Sequence, residues 1–263
     1  MADFVKKYNP DRNRDWNYGG SKWRLSRSKI ELFVECPRCF YLDNKLGTAR
    51  PRGPEFTLNK AVDQLFKKEF DVHRANGTAH PLMTTYGIDA VPFEHPQMDT
   101  WRENFEGVEW KDPETGFTIS GAVDDIWMTP EKELIVVDYK STSKPGTIKE
   151  MGDSSWDAQY RRQMGVYQWL LRKNGFAVST RGYFVYANAD ADKKAFDGKL
   201  EFEVTVVPCD GETDWIEDTL PQIKQVLESD VFPASGKGCE FCAYREAAGK
   251  KLLAIHQKQK AKK

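Results

Sequence analysis

Along the chain the spacing of hydrophobic residues switches between a period of two and a period near 3.6, and the switches mark the elements. The clearest switch falls at 121–140. Gly121-Ala-Val-Asp-Asp-Ile-Trp127 and Leu134-Ile-Val-Val-Asp-Tyr-Lys140 are apolar, β-branched-rich runs. Thr129-Pro-Glu-Lys-Glu133 lies between them, and its proline and clustered charge mark a turn. The pattern predicts a β-hairpin whose first strand spans 118–128. Alternate strand residues share a face, so Leu134, Val136, Asp138 and Lys140 project one way and Ile135, Val137 and Tyr139 the other. A carboxylate and an ammonium then stand side by side at a strand end.

Helical spacing appears on both sides of this hairpin. Ser26 or Ser28 can cap a helix with Ile30, Phe33 and Val34 on one face, and Pro37 should stop it. A Pro/Gly-rich turn at 50–57 precedes a helix over 57–74 that carries Leu58, Ala61, Val62, Leu65, Phe66 and Phe70. Residues 76–110 are irregular, with a short helix expected at 101–105. After a polar loop at 141–146, Met164, Tyr167, Trp169, Leu170 and Leu171 predict a helix over 156–172, with Gly175 as its stop. Gln163 and Tyr167 stand at i and i+4 on one face of it. Strands at 182–187 and 200–207, joined by an Asp/Lys-rich turn, and a helix at 214–228 complete the pattern.

Composition adds limits. The 263 residues are 40% hydrophobic, 30% charged and 13% aromatic, as in an ordinary globular protein without a disorder signature. No run approaches the roughly 20 apolar residues of a membrane span, and the first residues lack the apolar core of a signal peptide. The expectation is a cytoplasmic protein with no membrane partner. A net charge of −1 argues against indiscriminate coating of nucleic acid but leaves room for a local basic groove.

A buried carboxylate must be paired or bound to metal, and hard oxygen ligands such as Asp124 and Asp138 suit Mg²⁺ or Mn²⁺. A lysine beside them can orient or deprotonate a water and stabilise charge growing on a phosphate. The chemistry indicated is metal-assisted phosphodiester hydrolysis. Asp-x-Lys also occurs at 43–45, 192–194 and 197–199, but none of those follows an apolar run. The alternative is a surface hairpin bearing a salt bridge.

Five cysteines in a cytoplasmic chain point away from structural disulfides. Cys36-x-x-Cys39 and Cys239-x-x-Cys242 together form a tetrathiolate set able to hold zinc or an iron-sulfur cluster. With no ligand position left open, such a site is structural and staples the two ends of the chain. Cys209 stands alone, His80 and His95 have no ligand-like spacing, and His73 is expected as a surface residue of the 57–74 helix.

These motifs carry a resemblance. Gly121-Ala-Val-Asp124 with Val137-Asp-Tyr-Lys140 resembles the core of the PD-(D/E)XK nuclease superfamily and its RecB-like branch, which includes the iron-sulfur exonucleases of CRISPR adaptation. Leu25-Ser-x-Ser, Cys36-Pro-Arg and Phe40-Tyr-Leu42 resemble the N-terminal signature of that branch, and Gln163-x-x-x-Tyr167 resembles the motif that follows its catalytic strand. The resemblance implies an α/β fold with a restriction-endonuclease-like core, a central mixed sheet flanked by helices. Chain length suits a single domain over 1–263 with a helical cap, and local composition marks an extended arm at 1–20, cysteine segments at 21–50 and 233–250, and a basic tail at 251–263.

The implied activity is metal-dependent cleavage of DNA, as an exonuclease favouring single-stranded ends, in repair, recombination or defence. Asp124, Asp138 and the carbonyl of Tyr139 would hold the catalytic Mg²⁺ or Mn²⁺, Lys140 would assist the attacking water, and Gln163 and Tyr167 would position the strand. The family often places a histidine ligand where this chain has Asp63, itself a hard oxygen donor and so a candidate ligand. The family's cluster commonly uses one N-terminal and three C-terminal cysteines. Here the last of these positions is Ala248, and Cys39 supplies a fourth thiol from the other end, so both a 4Fe-4S cluster and zinc stay open. The rival readings are a non-catalytic DNA-binding or scaffold subunit, which the intact Asp124, Asp138 and Lys140 argue against, and a zinc-ribbon-like interaction module. No protein partner can be read from the residues.

Overall fold

The computed structural model describes residues 14–51 and 53–261. Most of the expected arm and the last residues of the basic tail lie outside the described residues. In chain order the elements are β1 (Leu25–Ser26), α1 (Arg27–Glu35), α2 (Pro37–Asn44), α3 (Thr57–Asn76), α4 (Pro81–Thr85), β2 (Val91–Pro92) and α5 (Met98–Arg102). Then come β3 (Val108–Lys111), β4 (Thr118–Gly121), β5 (Asp125–Met128), β6 (Leu134–Thr142) and α6 (Ser155–Lys173). The chain closes with β7 (Arg181–Ala189), β8 (Phe202–Asp210), α7 (Asp214–Glu228) and α8 (Glu240–Lys260). It falls into two compact units, one from Pro54–Glu217 and one from Met1–Gly53 with Asp218–Lys263. Among the described residues no helix is long and apolar enough to cross a membrane.

The unit Pro54–Glu217 is an α/β assembly built on a five-stranded mixed sheet of order β2-β5-β6-β7-β8. β6 runs parallel to β7 and antiparallel to β5, while β8 is antiparallel to β7. Parallel pairing needs a crossover, and α6 supplies it. The alternation expected for β6 holds. Its Ile135, Val137 and Tyr139 join Phe66 and Phe70 of α3 and Trp127 of β5 in one apolar cluster. Phe66 stacks on Tyr139 with ring centroids 5.0 Å apart, and Phe70 on Trp127 at 5.5 Å. The opposite face, with Asp138 and Lys140, turns toward α6, as the Gln163–Asp138 hydrogen bond shows. Of the apolar positions expected on α3, Leu58 and Leu65 are exposed instead of buried, and Val62, Phe66 and Phe70 form the packed stripe.

The single strand expected at 118–128 is two strands. β4 pairs with β3 and β5 with β6, and residues 122–124 break the run. α5 holds the break: the Val123 N–H donates to the Trp101 carbonyl at 3.0 Å, and Arg102 Nε to the Asp124 carbonyl at 3.0 Å.

In the other unit, Pro37 is a restart as well as a stop. Cys36 is extended (φ −161°, ψ 99°), ending α1, and Pro37 is the first residue of α2, where its missing N–H leaves no bond unmade. α8 begins after Cys239 and continues through most of the segment expected as a tail. α7 matches its expected limits, with Pro221 inside it.

Candidate active site and metal centre

Asp138 is almost fully buried at the middle of β6, which runs two residues beyond the expected end at Lys140, and its neighbours define the first half of the site. Gln163 Nε2 donates to Asp138 Oδ1 at 2.7 Å and to the Tyr167 hydroxyl at 3.1 Å, and Lys140 Nζ donates to Gln163 Oε1 at 3.4 Å. Lys140 also ion-pairs with Asp138 and lies over the Tyr160 ring, 4.6 Å from its centroid. Burial alone lowers the Lys140 pKa, but Asp138 and Asp124 more than offset it, so the net shift is upward. The side chain is a firmly charged ammonium. α6 brings Gln163 and Tyr167 to this place from a fixed start, because Ser154 and Asp157 form a reciprocal capping box at its N-terminus.

The second half comes from α3 and the break before β5. The Tyr139 N–H donates to Asp124 Oδ2 at 3.0 Å, which turns that carboxylate toward β6 beside Asp138. Lys67 Nζ bridges Asp63 at 2.9 Å and Asp124 at 3.4 Å. Burial and then the nearby Asp124 raise the Asp63 pKa. Asp124 and Asp63 in turn raise that of Lys67 against burial. Lys67 escaped the sequence reading, although its place one turn after Asp63 on the same helix face was the available signal.

Beneath these groups lies a network that was also missed. Asp125 is fully buried; its Oδ1 accepts from Arg102 Nη2 at 3.1 Å, from the Ile126 N–H at 2.8 Å and from Arg74. Its Oδ2 accepts from the Tyr139 hydroxyl at 2.6 Å. Arg102 also makes a two-pronged contact with Asp71, at 2.9 and 3.0 Å. Asp124 and Asp125 are thus adjacent in sequence but divided in work: one faces the site and the other anchors the floor.

The four paired cysteines converge within the unit that contains both chain ends. Their sulfurs all lie within 4.8 Å of one another. Cys36–Cys242 is 3.7 Å, and Cys39–Cys239 and Cys39–Cys242 are each 3.6 Å. Cys36 and Cys239 are the N-caps of α2 and α8, so both helices aim their N-termini at the sulfurs, which favours thiolates. Burial opposes ionisation of Cys36, but the N–H groups of Gly236 and Cys39, at 3.1 and 3.4 Å, help bring its thiol down to about 6. Arg245 reaches Cys39 at 3.3 Å and Arg50 reaches Cys239 at 3.6 Å. Cys209 is buried in β8, outside this group, and burial pushes its thiol up to about 11. His80 caps α4, and His95 stacks on Trp101.

A family model of the PD-(D/E)XK nuclease superfamily matches residues 24–247. The chain belongs to that superfamily. Among solved structures it is similar to a phage-related exonuclease from Haemophilus somnus 129PT, at 14% identity and a TM-score of 0.39, over 78% of this chain and 92% of that one. It is also similar to SSO0001, at 16% identity and a TM-score of 0.28, over 48% of this chain and 49% of that one. The chain therefore spans about half the length of SSO0001. No curated protein matches it.

In a PD-(D/E)XK nuclease a divalent cation belongs among the acidic side chains, and the donor set here suits one. Asp63, Asp124 and Asp138 are three carboxylates, and the two ammonium groups among them, Lys67 and Lys140, offset only part of their charge. Among the described residues the four thiols are the one group of three or more metal-ligating side chains whose ligand atoms all lie within 4.8 Å of one another. The three carboxylates are more widely set, with Lys67 between two of them.

Proposed function

We propose that the protein is a metal-dependent deoxyribonuclease of the RecB-like type, cytoplasmic and acting as an exonuclease that favours single-stranded ends, in DNA repair, recombination or defence. The observation that carries the reading is the joining of Asp124 to Asp138 and Lys140 through the main chain of Tyr139 in β6. Mg²⁺ or Mn²⁺ held by Asp124, Asp138, the Tyr139 carbonyl and Asp63 would polarise the scissile phosphate and acidify a bound water. In a strand the N–H and C=O of one residue point to the same edge, so the N–H bond to Asp124 directs the Tyr139 carbonyl to that side as well.

Lys140, kept charged by its carboxylate neighbours, orients the attacking water and offsets negative charge on the phosphate in the transition state. Gln163 fixes both Asp138 and Lys140 through opposite ends of its amide, and Tyr167 fixes Gln163. The pair positions the strand through the groups it immobilises. The preference for ends and for single strands rests on the resemblance of the motifs around Leu25, Cys36 and Gln163.

The test uses anaerobically purified wild type and Lys140→Ala on end-labelled single- and double-stranded DNA with Mg²⁺, Mn²⁺ or EDTA. Cleavage by the wild type, lost in EDTA and in the variant, is expected, with a product ladder that starts at the ends. DNA binding with no cleavage under any metal would replace this reading by a non-catalytic subunit.

A further inference from the structure

We propose that the four cysteines hold one tetrahedral zinc ion and not an iron-sulfur cluster, the alternative that the motifs leave open. The argument rests on the separation of the sulfurs. Four thiolates about 2.3 Å from a central zinc form a tetrahedron whose edges are about 3.8 Å. Three of the Sγ–Sγ separations are 3.6, 3.6 and 3.7 Å, and none of the six exceeds 4.8 Å.

A 4Fe-4S cluster cannot be placed inside that set. Its irons occupy alternate corners of a cube and carry their thiolates outward, which puts the cysteine sulfurs roughly 6 Å apart, with inorganic sulfide filling the space between. A 2Fe-2S cluster likewise separates the thiolates on one iron from those on the other by more than a single ion does. The sulfurs here are too close for either cluster and at the spacing of one ion.

Rearrangement to a wider set would have to move backbone. Cys36 and Cys39 sit at the N-cap and third position of α2, locked by the Cys39 N–H to Cys36 Sγ contact at 3.4 Å. Cys239 is the N-cap of α8 and Cys242 lies in its first turn. Gly236 closes the set from a third direction: its N–H reaches Cys36 Sγ at 3.1 Å, and a Cβ there would stand 2.0 Å from the Glu35 carbonyl oxygen. Cys36, Cys39 and Cys242 are each at most 3% exposed. A zinc tetrathiolate carries two net negative charges, and the guanidiniums of Arg50 and Arg245 lie against its sulfurs. All four positions being protein thiolates, the ion is redox-silent and structural, joining segments about 200 residues apart in sequence.

The test is metal and acid-labile sulfide analysis of the full chain, purified anaerobically from cells supplied with both iron and zinc. One zinc per chain is expected, with no sulfide and no visible charge-transfer band. Exchange with Co²⁺ should give the spectrum of a tetrahedral thiolate site. Cys242→Ser should lose the zinc, whereas Cys209→Ser should keep all of it. Iron and sulfide near four of each per chain, displacement of zinc on anaerobic reconstitution with iron and sulfide, or a wild-type chain that binds no metal would each overturn the proposal. None of these readouts depends on DNA cleavage, so the nuclease reading can fail or stand separately.

Discussion

The two adjacent aspartates before and at the start of β5 should behave as opposites. Asp125→Asn keeps the shape of the side chain but removes the negative charge that Arg74 and Arg102 share inside the fold. Their other carboxylate partner, Asp71, is partly exposed, with 44% of its side-chain surface accessible, and cannot replace a fully buried charge. Removing one partner of a buried pair costs about 3–5 kcal/mol, a large share of the about 5–15 kcal/mol that holds a domain folded. Tyr139→Phe removes only the single hydrogen bond to Asp125 Oδ2 and should cost about 1.5–3 kcal/mol.

Asp124→Asn removes a carboxylate that is partly open to solvent and paired to Lys67 at 3.4 Å, so it should change stability by less than about 1 kcal/mol. It should nevertheless abolish cleavage. The assay is urea denaturation without added divalent ion, followed by far-UV circular dichroism, with hydrogen exchange of the Ile126 and Tyr139 amides as the local readout. Asp125→Asn within about 1 kcal/mol of wild type would refute the buried-anchor assignment, since ordinary surface substitutions give changes of about 0.5 kcal/mol or less. Full cleavage by Asp124→Asn would refute the assignment of Asp124 to the site.

Three further outcomes follow from the same geometry. Ser154→Ala removes the cap that accepts from the Asp157 N–H at 3.2 Å and should destabilise α6 by about 1 kcal/mol in urea titrations. The Ser154 hydrogen bonds hold the Asp157 pKa below its usual value, so that part of the stability is present above the unfolded carboxylate pKa. It is lost as pH falls through the folded value, and the gap between wild type and variant should narrow there. Lys67→Gln removes the cation between Asp63 and Asp124, and calorimetric titration with Mn²⁺ should show about tenfold tighter binding, or ~1.4 kcal/mol; equal or weaker binding would show that Lys67 does not compete for that place. Gly121→Ala would set a Cβ 2.9 Å from the Tyr167 ring and 3.0 Å from Leu170. It should lower stability by about 1–3 kcal/mol in thermal melts, and an unchanged melting temperature would show that Tyr167 is free to retreat.

What the sequence made legible was whatever depends on neighbours close in the chain. β6, α6 and α7 follow from periodicity and caps, and the two Cys-x-x-Cys pairs from spacing alone. The misreadings arose where a distant segment decides. The run at 118–128 breaks because α5, some twenty residues earlier, takes the Val123 N–H and the Asp124 carbonyl. Leu58 and Leu65 of α3 are turned outward because the sheet accepts only the stripe through Val62, Phe66 and Phe70. The Asp124-Asp125 doublet lies between these cases. Neighbouring strand residues face opposite ways, so both aspartates could not serve one site, and that much was readable. Which one served it depended on register: Asp125 pairs with Val137, and cross-strand partners share a face. Val137 and Tyr139 belong to the apolar face under α3, so Asp125 had to point into the core and needed buried cations there. Arg74 and Arg102 meet that need, and Asp124, displaced from the ladder by the break, is left to turn toward Lys67 and the Tyr139 N–H.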